Sequence, residues 1–522
     1  ELDRVWVLGL SEGTFPSRAR DDSLLPDRER RTVGTLRLRA ERTGDEHRQF
    51  LAALAAVGPE GRVDVLRPRG DLRQADERAP SRWLIDLVEP RLGRRPPGAE
   101  VDSIDADWVT HVPSFAGGVT QTGFPATEQE YELRSLVDAA EASEPAAIDA
   151  HPLVASGPLR DGVAMQRARA SAAFTRFDGN VSGSPTPDLT ESARPTSATA
   201  LETWARCPHQ YFMRYLLGVD PVESPELRLR IDPLSWGTLV HAALERFVQE
   251  HVDDGAGEET LAGRGWSTED RTRLIRIAED EFAQAQRRGL TGEPLYWRRD
   301  RVLIMRDLEA FLRLDDERRR AGSLEAVATE LGFGLRDTPP VPVELPSGRR
   351  LLLRGSIDLV DRGPTGNLVV VDYKTGKASK VTEAAPHVGG TKLQLVLYAL
   401  AARHVFEQPA APVASYYWHV RARHGFKMVG YEVTDTIERE VLSAVGLIAS
   451  GIKDGVFPQH PEETTRQGWV SCAYCDPDGL GTADARRRLL RKASDPLLED
   501  YLVLAAPELV PAAPLPTLEG PT

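Results

Sequence analysis

The chain has 522 residues, 41% of them hydrophobic, and a formal charge of −14 from 65 basic and 79 acidic side chains. That supplies cores for about two or three globular domains, which excludes a disordered chain, and no apolar run approaches the ~18 residues that span a bilayer. The acidic balance excludes a protein that coats nucleic acid by bulk attraction while leaving room for a local basic channel; three cysteines exclude a disulfide framework and fit a reducing cytoplasm.

Taken in chain order, residues 1–95 alternate strand-like runs (Arg4 to Leu10, Arg62 to Leu66) with helical ones (Glu46 to Val57, Ser81 to Val88), the pattern of an α/β layer domain too short to be complete. The chain opens at Glu1, already in strand-like sequence, and reads as a piece of a longer protein. Residues 96–195 are rich in Pro, Gly, Ser, Ala and acids, with one helical patch near Glu128 to Glu141, and read as a connector. The third region, 196–505, runs helix (Thr199 to Leu217), helix (Trp236 to His251), two more helices to about Arg320, strands over 326–373, helix (Lys392 to Phe406), strand (Val413 to Arg421), helix (Thr436 to Ile452) and a C-x-x-C segment. The last stretch, 506–522, reads as a flexible tail.

The chemistry concentrates in a hairpin. Arg349 to Arg362 and Asn367 to Lys374 read as strands joined by Gly363-Pro364-Thr365-Gly366. Asp358 and Asp372 each lie seven residues from Thr365, so they are expected nearly opposite one another, Cβ atoms about 5 Å apart on one face. Two carboxylates so placed repel unless one is protonated or a cation sits between them, and a divalent ion with oxygen ligands is the natural relief. Lys374 shares that face by strand alternation; of 65 basic residues only seven are lysine, and this is the first. Two acids and a lysine make a hydrolytic constellation; the alternative is a pair of solvent-facing acids on a half-exposed hairpin. His241 and Glu245 share a helix face, as do Gln394 and Tyr398. Asp361 is expected on the opposite face, and Tyr373 faces away, leaving its backbone carbonyl as the candidate ligand.

These residues carry a family resemblance. Gly355-Ser356-Ile357-Asp358-Leu359-Val360-Asp361 and Val371-Asp372-Tyr373-Lys374-Thr375-Gly376 resemble the second and third motifs of the RecB-like PD-(D/E)XK nucleases, Gly237-Thr238-Leu239-Val240-His241 resembles the first, and Gln394 with Tyr398 resembles the Q-x-x-x-Y helix. The resemblance covers about 200–480. It implies an α/β fold with a restriction-endonuclease-like core, a mixed central sheet flanked by helices. It also implies an Mg²⁺- or Mn²⁺-dependent DNA exonuclease in which His241, Asp358, Asp372 and the Tyr373 carbonyl hold the metal, Lys374 positions the water, and Gln394 and Tyr398 support the site.

Cys207, Cys472 and Cys475 occupy positions similar to those that hold an iron-sulfur (4Fe-4S) cluster in helicase-nuclease relatives, but the fourth position is Gly481. A four-thiolate cluster is therefore excluded from this chain alone. A cluster with a non-cysteine ligand such as Asp476 or Asp484, a three-thiolate zinc site, and plain packing all remain open.

Val5-Trp6-Val7-Leu8-Gly9-Leu10-Ser11-Glu12-Gly13-Thr14-Phe15-Pro16 resembles a segment of the second motor domain of UvrD-like helicases, so 1–95 is expected to be a partial RecA-like helicase domain. No G-x-x-x-x-G-K-[ST] loop is present, and no ATP site is expected. The whole resembles the carboxy-terminal part of an AddB- or AdnA/AdnB-like helicase-nuclease. That implies a cytoplasmic role in double-strand-break end resection, on single-stranded DNA ends fed by a helicase partner or a missing motor half, with no membrane partner. Tyr416 to Arg423 interleaves aromatics with cations, which suits base stacking or a core strand, and Arg486, Arg487 and Arg488 suit a channel wall or a solvated helix face. The rival reading is a non-catalytic DNA-binding scaffold.

Overall fold

In a computed structural model the chain is described over residues 2–510, except 18–21, 23, 72–73, 113, 122–124, 126, 143–144, 157–158, 221–228, 255–264, 378–379, 462–473 and 476–481. It divides into two compact units, Glu1–Ser156 and Gly157–Thr522. Residues 96–156, acidic and proline-rich, thus belong to the first unit, and 157–195 to the second.

In the first unit β1 (Leu2–Val7) pairs in parallel with β2 (Val57–Val65) through the intervening helix α1 (Arg42–Ala55). Helix α2 (Arg82–Leu92) starts where the Ser81 side chain accepts the Leu84 N–H. It delivers Trp83 against Phe50, ring centroids 5.4 Å apart, closing a small core with Val7 and Leu10. Helix α3 (Glu128–Glu141) is capped by Thr127.

The second unit begins with α4 (Leu159–Ala170), then a two-residue strand β3 (Thr196–Ser197) and α5 (Ala198–Arg206). A continuous helix was expected over Thr199 to Leu217; it stops at Arg206, because Pro208 disfavours helical backbone at Cys207, which is extended at φ −158°. A helical turn, Pro208–Tyr211, and a π-helical turn, Phe212–Leu216, follow. Next come α6 (Pro233–Asp254), α7 (Thr268–Arg287), started by a reciprocal Ser267/Asp270 capping box, and α8 (Pro294–Gly322), with proline at its first position.

Strands β4 (Glu325–Phe333), β5 (Val341–Glu344), β6 (Arg350–Arg362) and β7 (Leu368–Lys374) lead to α9 (Gln394–Val405), β8 (Val413–His419), β9 (Met428–Glu432), α10 (Asp435–Lys453), α11 (Ala483–Lys492) and α12 (Glu499–Ala505). The sheet has seven strands in the order β9-β8-β7-β6-β3, with β4 and β5 also pairing β6. It is mixed: β8 runs parallel to β7, while β6–β7, β4–β6 and β8–β9 are antiparallel. The continuous apolar run of β7 reflects a strand covered on both faces. Helices α5, α9, α10 and α12 form one core with the sheet, and α6, α7 and α8 form another with Leu359, Val371, Tyr373 and Trp418. Among the described residues no helix is long and apolar enough to cross a membrane.

Candidate active site

The register of three adjacent strands aligns three carboxylates. Thr329 faces Leu359 and Leu331 faces Ile357 across β4–β6, which sets Glu330 opposite Asp358. Leu359 faces Val371 across β6–β7, which carries Asp358 to Asp372 one step on. Both aspartates are buried. Asp358 Oδ2 accepts the backbone N–H of Tyr373 at 2.6 Å, and its Oδ1 lies 3.3 Å from His241 Nδ1 on α6. Glu330 Oε2 accepts from the Ser356 hydroxyl at 2.6 Å. Ligand atoms of His241, Glu330 and Asp358 all lie within 4.8 Å of one another.

Glu330 is the residue that the sequence motifs missed. It stands in β4 with φ +45°, a left-handed backbone that costs a non-glycine residue energy and that persists where surrounding structure imposes it. The signal in the sequence is a lone acid in the run Ala326-Val327-Ala328-Thr329-Glu330-Leu331.

Lys374 forms an ion pair with Asp372 and donates to Gln394 Oε1 at 2.9 Å; Gln394 Nε2 in turn donates to the Tyr398 hydroxyl at 3.3 Å. A second residue missed from sequence holds this arm. Glu202 of α5, buried, accepts the N–H groups of Leu393 (2.7 Å) and Gln394 (3.2 Å), pinning the start of α9. The contact spans 191 residues of chain, so no local pattern announces it. Two glycines of the motifs allow close approach: a Cβ at Gly355 would stand 2.8 Å from the Phe333 ring, and one at Gly237 would stand 3.1 Å from Thr375 Oγ1.

Electrostatics follow from this crowding. Burial alone would push the His241 imidazole down, but the hydrogen bond to Asp358 and the charges of Asp358 and Asp372 outweigh it and hold its pKa up. Burial, then the neighbouring Asp358 charge, raises Glu330. Loss of solvent, then Glu330 and Asp358, raises Glu245 one turn beyond His241. Burial opposes the charge on Lys374, yet Asp372 more than offsets it and keeps the ammonium protonated. Asp372 Oδ2 is buried and faces the Lys374 ammonium. A nitrogen and two or three carboxylates, with ligand atoms of His241, Glu330 and Asp358 already converging, fit a hard divalent cation. Asp361, on the opposite face, is fully buried and pairs with Arg318 at 2.6 Å. The Tyr373 ring also lies on that face, edge-on to Phe311.

Residues 195–478 match the PD-(D/E)XK nuclease superfamily. The chain belongs to that superfamily. Its relatives include bacterial proteins each named as a subunit of an ATP-dependent helicase/deoxyribonuclease. The one from Moorella thermoacetica is 26% identical over 87% of this chain and 38% of its own length. The one from Symbiobacterium thermophilum is 29% identical over 76% of this chain and 33% of its own length; that from Clostridium perfringens is 23% identical over 86% and 38%. The chain thus spans 33% to 38% of the length of those relatives.

Within this superfamily member, Cys207 is buried and its Sγ lies 3.9 Å from Cys475 Sγ. Cys472, Asp476 and Gly481 fall outside the described residues, and Asp484 pairs with Arg487 and Arg488 at 3.4 and 3.3 Å. In the strand of interleaved aromatics, Tyr417 and Trp418 are both buried, one in each core, so neither ring is open to a base.

Proposed function

We propose that this chain is the nuclease part of a helicase-nuclease: an Mg²⁺- or Mn²⁺-dependent DNA exonuclease that hydrolyses phosphodiesters during resection of double-strand-break ends, on single strands delivered by a helicase partner. The observation that carries this reading is the row Glu330, Asp358, Asp372 with Lys374 and His241 at its ends. His241, Glu330, Asp358 and Asp372, with the Tyr373 carbonyl, would hold the cation, which when bound polarises the phosphate and acidifies a water. The protein's own groups do the rest. Lys374, fixed by Asp372 and Gln394, presents its ammonium to the attacking water and to charge developing on the phosphate. Gln394 and Tyr398 restrict where that ammonium points, so the lysine is oriented before DNA arrives. The names of the relatives supply the DNA substrate and the helicase context.

The test is cleavage of end-labelled single- and double-stranded DNA with Mg²⁺ or Mn²⁺, an EDTA control, and Asp372→Ala beside wild type. Metal-dependent cleavage that disappears in the variant is expected; tight DNA binding without cleavage in either metal would favour a scaffold role. We extend the reading to the cysteines. Two thiolates on one tetrahedral zinc at about 2.3 Å stand about 3.8 Å apart, close to the 3.9 Å between Cys207 and Cys475, so a zinc ion shared with Cys472 is the expected occupant; a 4Fe-4S cluster, in which each thiolate binds a different iron, would require these two sulfurs to move apart. Iron and zinc both near zero in protein purified without air would reduce these thiols to packing.

A further inference from the structure

Cationic side chains gather at a second place in the larger unit, away from the carboxylate row in sequence and using none of its residues. A cavity of about 260 Å³ lies between α4, the segment 174–181 and α11. Lys492 is almost fully buried in its wall and fully satisfied: it donates to the carbonyls of Ala168, Ser171 and Ala173 at 2.7–3.1 Å and pairs with Asp178 at 3.1 Å. That pairing engages Oδ2 of the one acid lining the cavity among the described residues, while its buried Oδ1 accepts no hydrogen bond.

Three guanidinium groups also line it. Arg176 is turned to the exposed Asp161 at 3.2 Å, which leaves two. Arg488 stands one helical turn before Lys492 and reaches Gln459 at 2.9 Å and the exposed Asp484 at 3.3 Å. Arg169 has a buried Nε with no acceptor, and no carboxylate pairs with its guanidinium among the described residues. Burial, then the facing charge of Arg169, weakens proton binding at Arg488, as expected for a wall with more cation than anion. Buried donors without acceptors ask for a missing partner, and paired guanidiniums match the geometry of a phosphate. The remaining wall is aromatic: Phe174, Phe177 and Phe457 line the same cavity.

We infer that this cavity is a nucleotide-phosphate site, in which Arg169 and Arg488 clamp a terminal phosphate and the phenylalanine rings cover the sugar or base. Its occupant is a free mononucleotide or the phosphorylated end of a strand; both offer the same phosphate monoester. The site uses neither the carboxylates nor a metal, so it stands or falls apart from the nuclease reading.

The experiment titrates the whole chain in EDTA with thymidine 5′-monophosphate, with inorganic phosphate, and with a single-stranded oligonucleotide with and without a 5′-phosphate. Binding is followed by calorimetry and by the thermal midpoint. The expected results are saturable binding of the mononucleotide at least about fivefold tighter than inorganic phosphate, and a loss of about tenfold or more in Arg169→Ala. Because Arg169 has no carboxylate partner to lose among the described residues, that variant should keep the wild-type midpoint without ligand, and Arg488→Gln should weaken binding in the same direction. A preference for the 5′-phosphorylated oligonucleotide assigns the strand end; equal binding of the two assigns the free nucleotide. No binding up to about 10 mM, equal binding in Arg169→Ala, or inorganic phosphate matching the mononucleotide would overturn the inference.

Discussion

Glu330 shows how a single side chain sets stability against chemistry. Its carboxyl is held near Asp358 by a left-handed backbone and a hydrogen bond from Ser356. Burial and Asp358 raise its pKa above the ordinary 4.5, so the fold prefers the protonated form. The ionised form is therefore a cost that grows as pH rises from 4.5 through the raised folded-state pKa when no cation balances it. Glu330→Gln removes the charge and keeps the Ser356 contact. In EDTA at pH 7 its unfolding free energy is expected to equal or exceed that of wild type, by up to about 1 kcal/mol, and the difference should close as pH falls toward 4.5. Metal-dependent cleavage should fall by at least about tenfold; a variant less stable than wild type in EDTA, or one that cleaves as fast, would remove Glu330 from the site. The two aspartates and Lys374 were legible because a turn and strand alternation fix who faces whom. Glu330 was not, since its strand reaches Asp358 only through a long-range pairing, and because a positive φ in mid-strand has no signature in a sequence that puts glutamate there.

At the scale of elements, the arrangement depends on where α9 begins. Gln394 and Tyr398 share a helix face, but Gln394 reaches Lys374 only because Glu202 of α5 holds the first N–H groups of that helix. Glu202→Ala leaves those donors without their acceptor and frees α9 to shift. Misplacement by about 1 Å can cost on the order of 10- to 100-fold in rate, and a loss of that size in kcat is expected here, with Asp372→Ala as the baseline. Glu202→Gln keeps an acceptor oxygen in place and should retain most of the activity. Wild-type rates in Glu202→Ala would show that α9 is fixed by its apolar face alone, which carries Leu395, Val396, Leu397 and Ala399 into the core. Periodicity located both α5 and α9. What periodicity cannot supply is which helix end meets which buried acid, and the break of the first helix at Cys207 needed only the following proline to be weighed more heavily.

For the molecule as a whole, the question is where the nuclease unit starts. Composition places a connector over 96–195, which is rich in Pro, Gly, Ser, Ala and acids, yet the larger compact unit begins at Gly157. The physical reason is that few but deep contacts tie this segment down. Phe174 and Leu189 lie in the larger core, the Phe457 N–H donates to the Gly179 carbonyl while the Val181 N–H donates to the Gly455 carbonyl, and Asp178 is the carboxylate partner of the buried Lys492. Polar, turn-rich sequence hides such anchors. We propose 157 as the working boundary, and two fragments test it. A fragment of residues 157–522 should fold with a single cooperative transition. One of residues 196–522 removes the Lys492 carboxylate and three carbonyl acceptors together, leaving a buried ammonium uncompensated at a cost of about 3–5 kcal/mol, before the exposed apolar core is counted. That is a large share of the ~5–15 kcal/mol that holds a domain together, so the shorter fragment should be insoluble or lack a cooperative thermal transition. Equal thermal midpoints for the two would mean that Lys492 reaches water once the segment is gone, and that 157–195 lies on the nuclease without supporting it.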